Sequence, residues 1–238
     1  MLINVDFKAL EWICALYLSQ DKVGIQEVLD QVDIHSVNQN DIGLPSRLIA
    51  KVFLFRIIFE GSAYAFYKDS DFREVKGSQD FWQQKIDKFF QKYWELRQFM
   101  DRTFKTANET GEYLSPTGRR FNFRYVDGVK QLELSKTKIA NYPIQSLGHD
   151  IVALARIALF RILIENELET KLIATVHDSI LLDSPKHEWY NIYLYIKQVF
   201  QGLPDLFEQT YGPKFNLPLR GEISYGKNYK EMKEFHED

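Results

Sequence analysis

Two short apolar runs, one near each end of the chain, stop at an aspartate, and the stretch between them is spaced for helices. Leu2-Ile3-Asn4-Val5-Asp6 and Ile173-Ala174-Thr175-Val176-His177-Asp178 have the length and apolar content of buried strands. A chain with strands at both ends and helices between them points to an α+β class: one antiparallel sheet interrupted by a long helical insertion. Because the first strand opens the chain, that sheet is expected to be incomplete.

The intervening pattern gives the elements. Helical spacing over 9–19 follows the first strand, and a polar stretch over 33–45 reads as a separator. A second helix is expected over 47–60, with Ser46 capping its first free N–H groups. Ile86, Phe89, Phe90, Tyr93, Leu96 and Met100 recur at steps of three and four, so 81–108 reads as an amphipathic helix pair. Pro116-Thr117-Gly118-Arg119-Arg120 is the turn of a hairpin over 112–123. The segment 143–168 is the most helical of the chain, and 172–183 reads as two strands meeting at His177-Asp178. A helix over 191–200 and a closing strand over 217–223 complete the expectation.

Composition limits the function classes. With 45% hydrophobic residues and 15% aromatics in 238 residues, the chain can bury one or two cores and is not disordered. Thirty Lys and Arg against 33 Asp and Glu leave a net charge of −3, so any hold on nucleic acid must rest on local basic patches or on a partner. The single cysteine, Cys14, excludes an internal disulfide and an all-cysteine zinc site; its apolar surroundings mark it as a buried structural thiol. The apolar run at Phe160 is broken by Arg161, and no stretch is long enough to span a membrane, so a soluble, cytoplasmic protein is expected, in the host cytoplasm if phage-encoded.

Taken singly, Asp6 and Asp178 are ordinary turn aspartates, since Asp is common in turns. If their strands share one sheet, the two carboxylates project from one rim, a hard-oxygen pair suited to Mg²⁺ and to two-metal phosphoryl transfer. A second set sits at steps of four: Arg47, Lys51, Phe55 and Phe59 fall on one helix face. Two cations near a helix N-terminus make an anion site, and the two aromatics beyond them offer a flat surface for a base. A nucleoside triphosphate has that same polarity. The alternative for this stripe is a solvated amphipathic face.

Together these residues resemble a known family. Asp6-Phe7 through Glu11 resembles motif A of family A (polymerase I-like) DNA polymerases. Arg47, Lys51, Phe55 and Phe59 resemble motif B, the fingers helix. Val176-His177-Asp178 resembles motif C. Asp33-Ile34-His35, Thr117-Gly118-Arg119-Arg120 and Asn141-Tyr142-Pro143-Ile144-Gln145 match in the right order, and Gly221 to Gly226 resembles the closing palm strand of phage members. The resemblance implies a palm with its motif A part over 1–40, fingers over 41–110 and a second palm part over 111–238. It implies two Mg²⁺ ions held by Asp6, Asp178 and the carbonyl of Phe7. Glu11 is then a steric gate against a ribose 2′-hydroxyl, while His35, Arg47 and Lys51 bind the triphosphate and Lys51 protonates the leaving pyrophosphate. Phe55 and Phe59 pack on sugar and base. Asn141 and Gln145 lie at the minor groove of primer–template DNA, and His177 supports the primer terminus. Arg119 and Arg120, with Arg124, Lys136 and Lys138, are candidates for the DNA backbone or for a solvated face.

The family pattern is broken at named positions. Phe7, Lys8 and Ile13 replace a Tyr, a Ser and an Arg of motif A; Arg56 replaces a glycine and Phe59 a tyrosine of motif B; Ser179 replaces the glutamate that follows the motif C aspartate. Nothing in the chain resembles a proofreading exonuclease or a thumb. The expectation is therefore a catalytic piece, or one subunit of a split phage-type polymerase whose N-terminal partner carries the thumb, with or without the exonuclease. Two other readings compete. One is a polymerase-like module with weak or no catalysis, favoured by Ser179 and Arg56; the other is a single-subunit RNA polymerase, opposed by Glu11.

Overall fold

The computed structural model describes residues 1–59, 61–75, 77–127, 129 and 131–235. In chain order the elements are β1 (Leu2–Phe7), α1 (Leu10–Ser19), α2 (Lys22–Leu29), α3 (Ile34–Ile42), α4 (Arg47–Phe59), α5 (Ala63–Lys68), α6 (Gln79–Lys92), α7 (Trp94–Thr110), β2 (Glu112–Leu114), β3 (Arg120–Asn122), α8 (Lys136–Glu165), β4 (Lys171–Val176), β5 (Ser179–Asp183), α9 (Trp189–Tyr211), β6 (Gly221–Gly226) and β7 (Lys233–Glu234). They form two compact units, one of Met1–Cys14 with Gln145–Asp238 and one of Ala15–Ile144.

The first unit is built on an antiparallel sheet of five strands in the order β4-β5-β1-β6-β7, with the first strand of the chain at its centre. This bears out the expected α+β class and its antiparallel sheet. Alternation explains the placement of β1: Ile3, Val5 and Phe7 are buried on one face, while Asn4 and Asp6 turn to the other. The buried face meets α9 through Phe7 and Phe200, whose rings lie 4.5 Å apart. Gly221 permits that approach, because a Cβ there would sit 2.7 Å from the Phe200 ring and 2.8 Å from Val5. On α8, Gly148 lies against Leu10 and Cys14 of α1. Cys14 is fully buried, and burial pushes its thiol well above the usual range, with Glu11 and Asp150 adding to the effect.

The second unit holds the helical insertion. Its core is aromatic: Phe53 of α4 stacks on Phe66 at 4.9 Å, Phe66 on Trp82 at 5.3 Å, and Phe89 packs on Tyr93 at 4.8 Å. A buried polar network ties α2, α3 and α6 together. The Tyr93 hydroxyl lies 2.8 Å from Glu27 and 2.9 Å from Asn38, and Lys92 bridges Glu27 and Asp41 at 2.7 Å each. The hairpin of β2 and β3 forms as the turn residues predict, with Gly118 at φ +80.

The structure corrects several sequence expectations. The polar stretch 33–45 is mostly helix, since α3 occupies Ile34–Ile42. Its ends are fixed by Asp33, whose carboxylate accepts from the His35 N–H, and by Gly43 at φ +72, so caps make the helix where apolar period is weak. Helix α2 was not foreseen either; Asp21 caps it through the Gly24 N–H at 3.0 Å. Helix α8 starts at Lys136 rather than at Pro143, so Asn141 and Pro143 lie inside it. The turn around this interior proline is held by the fully buried Ile139, Ala140 and Ile144. Helix α9 runs to Tyr211, past the expected end at 200, and the closing strand is Gly221–Gly226 rather than 217–223. Helix α4 starts as expected, with Ser46 accepting from the Ile49 N–H at 3.2 Å; the expected last residue, Glu60, lies outside the described residues.

Candidate active site

The sheet places one aspartate at the end of its central strand and another at a hairpin apex. Asp6 pairs across the sheet with Ser179 on one side and Glu222 on the other. Asp178 follows His177 in the two-residue loop joining β4 to β5. Strand β1 pairs with β5 rather than with β4, so it is the apex itself, and not the strand before it, that comes to Asp6. The Phe7 N–H donates to the Asp178 carbonyl at 3.2 Å, which seats the apex against the end of β1. His177 adopts φ +55, a left-handed conformation that costs a non-glycine residue about 1–2 kcal/mol.

The seated apex brings the Asp178 carboxyl close enough for its charge to act on Asp6. Burial raises the Asp6 carboxyl above the usual range, and the charges of Asp178 and then Glu222 push it the same way. Glu11, in the first turn of α1, is raised by burial and then by Asp178. A cleft of about 360 Å³ beside this group is lined by Glu11, Gln145, His149, His177 and Asp178. Like charges held close disfavour ionisation, and a divalent ion placed among them relieves that cost. Among the described residues no group of three or more His, Cys, Asp or Glu is arranged to hold a metal. Two carboxylates plus a main-chain carbonyl such as that of Phe7 fit Mg²⁺, which keeps waters and phosphate oxygens as its remaining ligands.

In the helical unit the stripe on α4 forms as the spacing predicts. Arg47 and Lys51 are exposed and Phe55 and Phe59 half-buried, while Ala50, Phe53, Leu54, Ile57 and Ile58 face the core. Arg47 is gripped side-on by Asp33, Nε to Oδ2 at 2.7 Å and Nη2 to Oδ1 at 3.1 Å. His35 is close enough to feel both cations of α4. Burial lowers its imidazole below the usual value, as do Arg47 and, less strongly, Lys51, and the opposing pull of Asp33 does not restore it. His35 is thus a neutral hydrogen-bonding group near pH 7, and its Nδ1 is buried with no hydrogen-bond partner among the described residues. Arg56 is held by Asp69 at 3.0 Å and Asp71 at 3.4 Å. Asn141 is buried, and its Oδ1 has no partner among the described residues. Arg119 and Arg120 stand on the β2–β3 hairpin, Arg120 paired to Glu112 at 3.2 Å.

The DNA polymerase family A model matches residues 1–231. The chain belongs to DNA polymerase family A. It is 28% identical over 246 residues to a DNA polymerase I of Caldicellulosiruptor bescii, covering 98% of this chain and 27% of that protein. To a DNA polymerase I of Treponema pallidum it is 28% identical over 241 residues, covering 97% of this chain and 23% of that protein. A DNA polymerase of Bacillus phage SP01 is 25% identical over 199 residues, covering 83% of this chain and 21% of the phage protein. The chain therefore spans about a quarter of the length of these curated relatives. The fold matches the POL domain of Pol1 from M. smegmatis, solved in complex with DNA primer-template and dNTP. The TM-score is 0.77 at 19% identity, over 95% of this chain and 39% of that one.

In this family A chain the sheet unit gathers Asp6, Glu11, Gln145, His177 and Asp178, and the helical unit gathers His35, Arg47 and Lys51. Sequence reasoning missed His149, which lines the cleft one helical turn beyond Gln145. The signal was present, since Asn141, Gln145 and His149 fall at steps of four on α8. It also missed Glu222, whose place opposite Asp6 depends on strand register, which a single sequence does not display. Among the described residues no helix is long and apolar enough to cross a membrane.

Proposed function

We propose that this chain is the palm and fingers of a template-directed DNA polymerase, adding deoxynucleotides to a primer 3′ end by phosphoryl transfer. The observation that carries the reading is the seating of the Asp178 hairpin apex against the end of the strand that bears Asp6, Phe7 N–H to the Asp178 carbonyl at 3.2 Å, beside Glu11 and a cleft. In this reading residues 41–110 are the fingers, and 1–40 with 111–238 are the palm.

Asp6, Asp178 and the Phe7 carbonyl would hold two Mg²⁺ ions. When bound, the ions supply charge stabilisation to the attacking and leaving oxygens of an in-line displacement. Arg47, Lys51 and neutral His35 bind the triphosphate, and Lys51 donates a proton to the departing pyrophosphate. Phe55 and Phe59 pack on sugar and base. Glu11 fills the space that a 2′-hydroxyl needs, so deoxynucleotides are preferred. His177 supports the primer terminus, Asn141 and Gln145 read minor-groove acceptors common to every correct pair, and Arg119 and Arg120 hold the DNA backbone. Primer–template DNA and dNTPs are the ligands in this reading, and the proposed partner is an N-terminal polymerase subunit that carries the thumb, with or without the exonuclease.

A second reading, a polymerase-like nucleic-acid-binding or assembly module with weak or no catalysis, draws on Ser179 and on the ion-paired Arg56. Primer extension separates the two. The purified chain, alone and with the product of the gene upstream, is incubated with primer–template, dNTPs and Mg²⁺, with Asp178→Asn as control. Extension that the substitution reduces by about a thousandfold supports the polymerase, because a metal's charge contributes several kcal/mol to such a transition state. Equal extension by Asp178→Asn, or none under either condition, sinks the catalytic reading and leaves the module.

A further inference from the structure

Arg47 does not wait in solvent for a ligand. Asp33 engages its Nε and Nη2 together, at 2.7 and 3.1 Å, the two-point edge that a guanidinium also offers to phosphate. A carboxylate and a phosphate cannot both occupy that edge. The same Asp33 carboxylate accepts from the His35 N–H at 3.2 Å and from the Ser36 hydroxyl at 2.8 Å, so it caps α3 whether or not Arg47 is present. Hydrogen bonds from Arg47 hold the Asp33 carboxyl well below the usual carboxylate range; burial opposes them, and Ser36 and the His35 N–H add to them. The aspartate is therefore charged at any working pH. Both partners are about half exposed, 56% for Arg47 and 45% for Asp33, so water screens the pair and exchange is cheap.

We propose that Asp33 is a counter-charge competing with the nucleotide triphosphate for Arg47: it holds the guanidinium in the nucleotide-free state and yields it when phosphate arrives. This rests on the nucleotide reading of α4 and deepens it. Capture of the triphosphate trades one charge-assisted fork for another, so part of the Arg47–phosphate attraction is spent on displacing Asp33. By the same exchange in reverse, Asp33 retakes Arg47 as pyrophosphate departs, which favours product release. Asp33 remains anchored to α3 throughout, so the exchange needs movement of the arginine side chain alone.

The test is a calorimetric titration of the full chain with a deoxynucleoside triphosphate and Mg²⁺, without DNA. Wild type is compared with Asp33→Asn, Arg47→Ala, Lys51→Ala and the Asp33→Asn/Arg47→Ala double variant. Asparagine is as good an N-cap as aspartate, so Asp33→Asn should keep the α3 cap and lose in thermal unfolding no more than the exposed ion pair itself supplies, leaving charge as the readout. The expected result is tighter binding by Asp33→Asn, about 2- to 5-fold, the range of an exposed ion pair. In the Arg47→Ala background the same substitution should change little. Unchanged or weaker binding by Asp33→Asn overturns the proposal. Equal tightening in both backgrounds also overturns it, because it shows through-space repulsion rather than competition for the arginine. If Arg47→Ala and Lys51→Ala both bind as wild type does, the nucleotide reading of α4 falls, and the counter-charge with it.

Discussion

At the scale of single residues, the site holds its charges against their own preference. Asp6 and Glu11 are each raised above the usual carboxylate range, first by burial and then by Asp178. A carboxyl raised in the folded state gives its full stability below its unfolded value and loses it as pH climbs through the folded value. The metal-free protein should therefore lose stability as pH rises from just above 4 toward neutrality at these positions. Replacing Asp6 by Asn removes one of the repelling charges. In EDTA at pH 8 Asp6→Asn should melt at a higher temperature than wild type, and the difference should vanish near pH 4. Adding Mg²⁺ should raise the wild-type melting temperature and leave the variant's almost unmoved, while primer extension by the variant drops about a thousandfold. A melting curve in EDTA that is no higher for Asp6→Asn would remove the electrostatic account of the pair. Stability given up at a carboxylate cluster and recovered by a bound cation is the trade expected of a functional site.

At the scale of elements, what matters is how the apex bearing Asp178 is held. The strand leading to it, β4, starts at a buried carboxylate on the turn before α9. Glu188 accepts from the Glu169 N–H at 2.8 Å, the Thr170 N–H at 2.9 Å and the Thr170 hydroxyl at 2.6 Å. Burial pushes its carboxyl up, but these hydrogen bonds outweigh burial, so it lies below the usual range and its stabilisation is lost as pH falls. Glu188→Ala should lower stability by about 1–3 kcal/mol, the cost of leaving buried donors unpaired. Urea unfolding at pH 7 measures this, and the deficit should narrow toward pH 3; a deficit constant with pH would show that packing, not the charge, is what the glutamate supplies. Elements of this kind divide by how they can be read from one sequence. Helix α4 was legible because its apolar face, its basic stripe and its Ser46 cap all agree. The hairpin carrying Asp178 was legible because two apolar runs stop at a two-residue break. Helix α3 was not, since Asp33 and Gly43 fix its ends while Asn38 is buried against the Tyr93 hydroxyl at the junction of α6 and α7. The start of α8 was misplaced because proline ordinarily marks a first helical turn, and tertiary burial of Ile139 and Ile144 overrides that preference. Carboxylates at strand ends were found from the sequence; Glu222 and His149 belong to register and cleft, which long-range pairing sets.

At the scale of the whole molecule, the constraint is charge. A net charge of −3 offers a DNA duplex little general attraction, so under the proposed polymerase reading any binding must come from a few local cations. Arg119 and Arg120 on the β2–β3 hairpin are the DNA-backbone candidates, and Arg120 must first release Glu112, 3.2 Å away. Each phosphate neutralised releases condensed counterions, giving a slope of about −0.9 in log affinity against log salt concentration. Two such contacts give a slope of about −2 for the chain alone, shallow beside a protein that wraps its duplex. Fluorescence anisotropy of labelled primer–template across about 50–200 mM salt measures it. Arg120→Ala should flatten the slope by about 1 and weaken binding without changing its sequence preference, since backbone contacts position a protein and do not read bases. Glu112→Gln, which frees Arg120 from its ion pair, should tighten binding at low salt and leave the slope as it was, because the number of neutralised phosphates is unchanged. A slope near zero would mean that the hairpin does not touch the backbone at all. A slope several units steeper, with Arg120→Ala inert, would mean that the duplex lies on some other basic surface. In either case the hairpin arginines would lose their proposed role, while Asp6 and Asp178 would keep theirs.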